Sequence, residues 1–105
     1  MAITSTSLAS ELLSSATTKI YTSSLNSVVS VMYFCNQGAA TANLTVSVTA
    51  GNLTTGAANV IYKEISIATA DTFVVDMEKL VLSDKDFISA NSGGTVSATV
   101  SYVGI

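Results

Sequence analysis

Residues 95–102 read Thr-Val-Ser-Ala-Thr-Val-Ser-Tyr. Every second side chain is apolar or aromatic, and the ones between are small hydroxyls. In an extended chain successive side chains point to opposite sides, so a period of two gives one buried face and one wet face. Val96, Ala98, Val100 and Tyr102 fall on one side, and Thr95, Ser97, Thr99 and Ser101 on the other. Residues 43–49 repeat the pattern, with Leu44, Val46 and Val48 opposed to Asn43, Thr45, Ser47 and Thr49. Two half-buried strands of this kind set the class as all-β.

Strand-like stretches also occur at 19–23, 60–67, 72–75 and 87–90. Residues 77–82 read as a short strand after Asp76, with Leu80 and Leu82 on one face. The chain has no proline, so Gly, Asn, Asp and Ser must form the turns. Candidate turns lie at 24–27, 36–40, 51–59, 68–71, 83–86 and 91–94. Strands at about ten-residue spacing predict an antiparallel β-sandwich, jelly-roll-like, of about seven to eight short strands. The sandwich is expected over residues 19–105. Residues 1–18 form an N-terminal arm or an edge segment. Within them, 3–8 suit an edge strand or a reach to a partner, and 9–16 (ASELLSSA) suit a helical turn or a loose connection.

Residues 28–35 (VVSVMYFC) are apolar on both faces. A thin two-sheet domain covers only one face of a strand, so the other points to a neighbouring subunit. Val29, Val31 and Tyr33, with Ile3 and Leu8 from the N-terminal segment, are the candidate interface residues. Lys63 and Glu64 interrupt a strand pattern. Lys63 facing inward beside Ile61 and Ile65 would be costly, and an edge position for this strand resolves the difficulty.

Composition narrows the function. The chain has 105 residues, 10% charged, against about 25% in an average soluble domain. Its four lysines, lack of arginine and net charge of −3 give no basic patch for nucleic acid or an anionic membrane. No apolar run is long enough for a membrane span, and the first eighteen residues lack the basic start and apolar stretch of a targeting signal. With no histidine and one cysteine, the usual zinc and copper ligand sets and the Ser-His and Cys-His catalytic pairs are missing. Cys35 reads as a buried small hydrophobe. Asp84-Lys85-Asp86 reads as a polar turn, and an ion at Asp84 and Asp86 is the alternative. Gly93-Gly94 reads as a tight turn. The four tyrosines read as packing groups, not as a sugar or base platform. No enzyme, metal or cofactor is expected.

One set of residues resembles a known family. Ile20-Tyr21-Thr22, residues 28–36 (VVSVMYFCN) with Gln37-Gly38, Ile61-Tyr62, Asp71-Thr72-Phe73, Leu80-Val81-Leu82 and Asp86-Phe87-Ile88 are similar to the small virion structural proteins of tailed bacteriophages, notably cyanophages. The resemblance spans about 85 residues and has no catalytic motif. The family usually has a glycine before the last aspartate, where this chain has Lys85. The resemblance implies a β-sandwich virion component, made in the host cytoplasm. Its implied role is capsid decoration or cement, alternatively a neck, tail or fibre adaptor. Its implied partners are itself, as a homo-oligomer and by analogy a trimer, and other virion proteins such as the major capsid protein. A carbohydrate-binding module using tyrosines and loop carboxylates is the reading from a different class.

Overall fold

A computed structural model describes the backbone of residues 5–76 and 80–104, and their side chains from residue 10 onward. Nine strands follow one another: β1 (Ser5–Leu12), β2 (Thr18–Thr22), β3 (Ser27–Asn36), β4 (Ala42–Thr49), β5 (Val60–Ile67), β6 (Thr72–Val75), β7 (Leu80–Leu82), β8 (Phe87–Ser92) and β9 (Val96–Gly104). A 3-10 turn, Ala57–Asn59, precedes β5.

The strands form two antiparallel sheets. One is ordered β1-β9-β3-β6, with β7 also on β3, and the other β2-β8-β4-β5. β6 pairs with Met32 to Cys35 and β7 with Ser27 to Val29, so the two line the same edge of β3 end to end. The inner faces share one apolar cluster. Phe34, Val96 and Val100 enter it from the five-stranded sheet, and Leu44, Val46 and Ile88 from the four-stranded one, all fully buried. Burial of such a side chain is worth about 1.5–3 kcal/mol. Tyr21 closes one end, stacked on Tyr102 at 4.2 Å between ring centres and donating its hydroxyl to Ser27 Oγ at 2.9 Å.

Irregularities in the pairing decide which side chains face out. The pairing of β3 with β9 shifts register between Val29 and Val31, which leaves Ser30 as the extra residue. Ser30 Oγ donates to the Ser101 carbonyl at 3.0 Å there. An extra residue reverses the alternation. Ser27 and Val29 are therefore buried before the bulge, and Met32, Phe34 and Asn36 after it. In β5 a second irregularity lies at Lys63 and Glu64, opposite Thr45, with Glu64 at φ 51. Tyr62 and Ile65 both pack on the core as a result. Lys63 is exposed, contrary to the inward position beside Ile61 and Ile65 that strict alternation predicts. The strand is indeed at an edge of its sheet.

β1 is an edge strand on β9, and residues 9–12 continue it where the composition of 9–16 suits a helical turn or a loose connection. Its extended geometry is fixed by the β9 ladder, which a short polar segment cannot match with local helix bonds. The expected strand over 77–82 is seen at Leu80–Leu82, and residues 77–79 lie outside the described ones.

Carboxylates and amides tie the loops together. Asp86 accepts from the Gly51 amide through Oδ1 at 3.0 Å and from the Ser83 amide through Oδ2 at 2.9 Å. Asp84 Oδ1 accepts from the Leu25 amide at 2.8 Å. Asn36 is fully buried and donates to the carbonyls of Ala40 and Ile67, both at 2.9 Å, while its Oδ1 accepts from the Gly38 amide. It thereby joins the end of β3 to the end of β5 across the two sheets.

Candidate functional site

The outer face of the five-stranded sheet is a surface on which the described residues leave apolar groups together. Register places Ser10, Thr99, Tyr33 and Val74 in one row across four strands. Val103, Val28 and Val81 make a second row. Leu12, Ser97, Cys35 and Thr72 make a third, and Ser101 and Val31 lie between. Directly opposed residues in an antiparallel pair share a face, so these side chains form one sheet surface. Tyr33 is 43% exposed, Val74 41%, Leu12 60% and Val81 73%. None of these positions is charged. Valines and a tyrosine interleaved with hydroxyls give a flat face that water solvates poorly and that carries no charge to desolvate on contact.

The opposite outer face is different. The connection of residues 50–59 folds back over the four-stranded sheet. Thr49 Oγ1 and Thr55 Oγ1 lie 2.7 Å apart, and Gly51 is held by Asp86. Gly51 sits so close to the turn at Lys85 that a Cβ there would lie 2.6 Å from the Lys85 carbonyl oxygen. Ser47, Thr49, Phe87 and Ser89 are buried on that side as a consequence. A recess of about 330 Å³ remains between loop and sheet, lined by Thr17, Lys19, Leu53, Thr54, Thr55 and Ser89 among others.

The candidate interface residues separate. Val31 and Tyr33 are on the uncharged outer face. Val29 is not; it is 2% exposed and belongs to the chain's own core, because the Ser30 bulge falls between it and Val31. Leu8 pairs with Ser101 through the backbone, and Ile3 lies outside the described residues. Cys35 faces outward and is half-buried, so it is not the core hydrophobe that an apolar strand suggests. The same bulge is the cause. Val74, Val81 and Val103 join this face although nothing in their own segments marks them, because only the pairing of non-adjacent segments brings them to the strand of Tyr33.

Asp84 and Asp86 act as acceptors for loop amides. Among the described residues no group of three or more cysteines and carboxylates is placed to hold a metal ion. Tyr62 packs edge-on against Phe73 at 5.4 Å, and Tyr21 and Tyr102 pack on each other. Gly94 approaches Ala42 closely in the turn before β9. No protein-family model matches the chain, and a search of curated proteins finds no similar sequence.

Proposed function

We propose that the chain is a jelly-roll β-sandwich acting as a structural subunit of a virus particle, a capsid-decoration subunit that packs against a second copy of itself. Several features of the pairing support the jelly roll. Counted as one interrupted strand, β6 and β7 reduce the nine strands to eight. The pairs are then first with eighth, second with seventh, third with sixth and fourth with fifth. Such pairs arise when one long hairpin wraps over itself into two Greek keys, an architecture used by capsid proteins and by lectins.

The observation that carries the packing role is the uncharged outer face around Tyr33. Four strands about 4.8 Å apart and about eight residues long at 3.3 Å each make a face of about 500 Å². Two copies placed face to face would bury about 1,000 Å² in total, near the lower limit for a specific interface. The whole face is needed, and a charge anywhere on it would be buried. A two-fold contact also requires a self-complementary surface, which a neutral face of alternating valine and hydroxyl rows supplies. The resemblance noted in the sequence supports the virion setting. The residues that carry it, such as Tyr21, Asn36, Asp71 and Asp86, are in the core or at loop ties. They speak for the scaffold rather than for a chemistry.

Sedimentation velocity on the purified protein tests the reading. The expected result is a discrete closed oligomer that Val31→Lys with Val74→Lys converts to monomer. A pull-down from disrupted particles is expected to recover the major capsid protein, with hundreds of copies per particle. Recovery at a few rings per particle would move the subunit to the neck, tail or fibre. A monomer that captures no particle component would overturn the proposal.

A further inference from the structure

The recess on the four-stranded sheet has features that the fold does not use. We infer that it is a binding site for a single acidic sugar ring, a hexuronate, held by Lys19 through the carboxylate and, through the ring hydroxyls, by the threonine hydroxyls and by Ser89 once its buried Oγ turns outward.

Three observations lead there. Ser89 is 1% exposed, and its Oγ is the one buried side-chain polar atom among the described residues with no hydrogen-bond partner. Such an atom is costly unless something completes it. Ser89 lines the recess, directly opposite Lys19 in the β2–β8 pairing. Second, the Lys19 ammonium lies 4.4 Å from the centre of the Phe87 ring, at the recess, and no carboxylate lies within ion-pair distance of it among the described residues. The ring favours this position of the ammonium without neutralising it. Third, the lining holds no acidic residue, in a chain of net charge −3. An anion entering here meets one cation in the lining, and the Asp86 carboxylate behind Gly51 is engaged by the Gly51 and Ser83 amides.

The shape and the charge choose the ligand. A volume of about 330 Å³ is at the small end of ligand sites and has room for one ring. Thr17, Thr54 and Thr55 line the recess, the Thr17 and Thr55 hydroxyls bonded once each, to Asn91 and Thr49 respectively, and able to make a further bond, and Leu53, 58% exposed, gives an apolar patch for the C–H face of a sugar. One ammonium, without arginine, matches a monovalent carboxylate better than a phosphate dianion. The site shares no residue with the proposed packing face, so it stands or falls apart from that reading. It also differs from a tyrosine-and-carboxylate sugar platform, since neither residue type lines it.

The test is a titration of the ¹⁵N-labelled protein followed by amide shifts, with glucuronate, glucose and acetate as separate probes. Glucuronate is expected to move the amides of Gly51, Thr54, Thr55 and Ser89 with millimolar affinity. Glucose and acetate, each lacking half of the contacts, are expected to bind about tenfold more weakly or worse. Lys19→Met keeps the apolar stem and is expected to lower glucuronate affinity about tenfold. Ser89→Ala removes the orphaned hydroxyl, so the fold should be as stable as before or more so, with affinity several-fold lower. Three results would overturn the inference: no shift at any accessible glucuronate concentration, acetate binding as well as glucuronate, or unchanged affinity in Ser89→Ala.

Discussion

The outer face of the four-stranded sheet and that of the five-stranded sheet both carry serine and threonine, yet they end in different states. Ser47, Thr49 and Ser89 are buried, whereas Ser97, Thr99 and Ser101 stay half-exposed beside an open Tyr33, Val74 and Val81. The difference lies in the connections. Residues 50–59 between β4 and β5 are long enough to turn back and cover their own sheet. The links at 23–26 and 93–95 are too short to reach across the other one. Whether a face is internal or free for a partner is therefore set by loop length and by the bonds that hold the loop. The residues on the face alone do not decide it.

The clamp at Asp86 is the most direct place to break that cover. Asp86→Ala leaves the Gly51 and Ser83 amides without their acceptor. Hydrogen bonds to a charged group contribute about 1.5–3 kcal/mol each, less where water can replace the acceptor, so a loss of about 2–3 kcal/mol is expected in urea denaturation. Hydrogen exchange should rise first in residues 50–59. Gly51→Ala attacks the same contact from the loop side. Its Cβ would meet the Lys85 backbone at 2.6 Å, and that backbone is held by the ties on either side. Overpacking of this kind costs about 1–3 kcal/mol, so a loss of about 2 kcal/mol in the same measurement is expected.

Thr49→Val is milder. It keeps the shape of a buried side chain and removes the 2.7 Å bond to Thr55. About 1 kcal/mol should be lost, with the loop loosened and the core unchanged in near-ultraviolet circular dichroism. Lys85→Gly works in the opposite direction. Lys85 has φ 69, a region that glycine adopts without strain. A gain of about 0.5–1 kcal/mol is expected, visible as a higher urea midpoint with an unchanged slope.

These contrasts also show what a sequence of this kind makes legible. Residues 95–102 and 43–49 announce their strands because one side of each is core and the other is not. Residues 28–35 announce a strand but hide its faces. Val29, Val31 and Tyr33 are equally spaced and equally apolar, and only the Ser30 bulge, forced by pairing with β9, sends the first inward and the other two out. Lys63 is misplaced by alternation for the same reason, since the irregularity around Glu64 exists only against Thr45. The recess was less legible still. Lys19 and Ser89 are 70 positions apart in sequence, and nothing local marks either. Turn chemistry was the easier part: Asp86 and Asn36 sit in stretches whose composition already reads as turn, although their partners at Gly51 and Ile67 do not show.

The smallest effect on the isolated chain is expected from the uncovered face. Val31 lies among Ser101 and other side chains that water already reaches, so Val31→Lys removes little internal packing. The lysine stem can lie along the sheet with its ammonium in solvent. At concentrations low enough to keep the chain monomeric, its unfolding free energy should change by no more than about 0.5 kcal/mol. On association the same ammonium would be trapped between two faces whose described strand positions carry no carboxylate, the nearest in register being Asp76 just past the end of β6. Burying an unpaired charge costs several times what the valine contributed. A variant that unfolds like the parent but no longer assembles would separate a packing face from a merely exposed one. A variant that loses fold and assembly together would show that Val31 is part of the core after all.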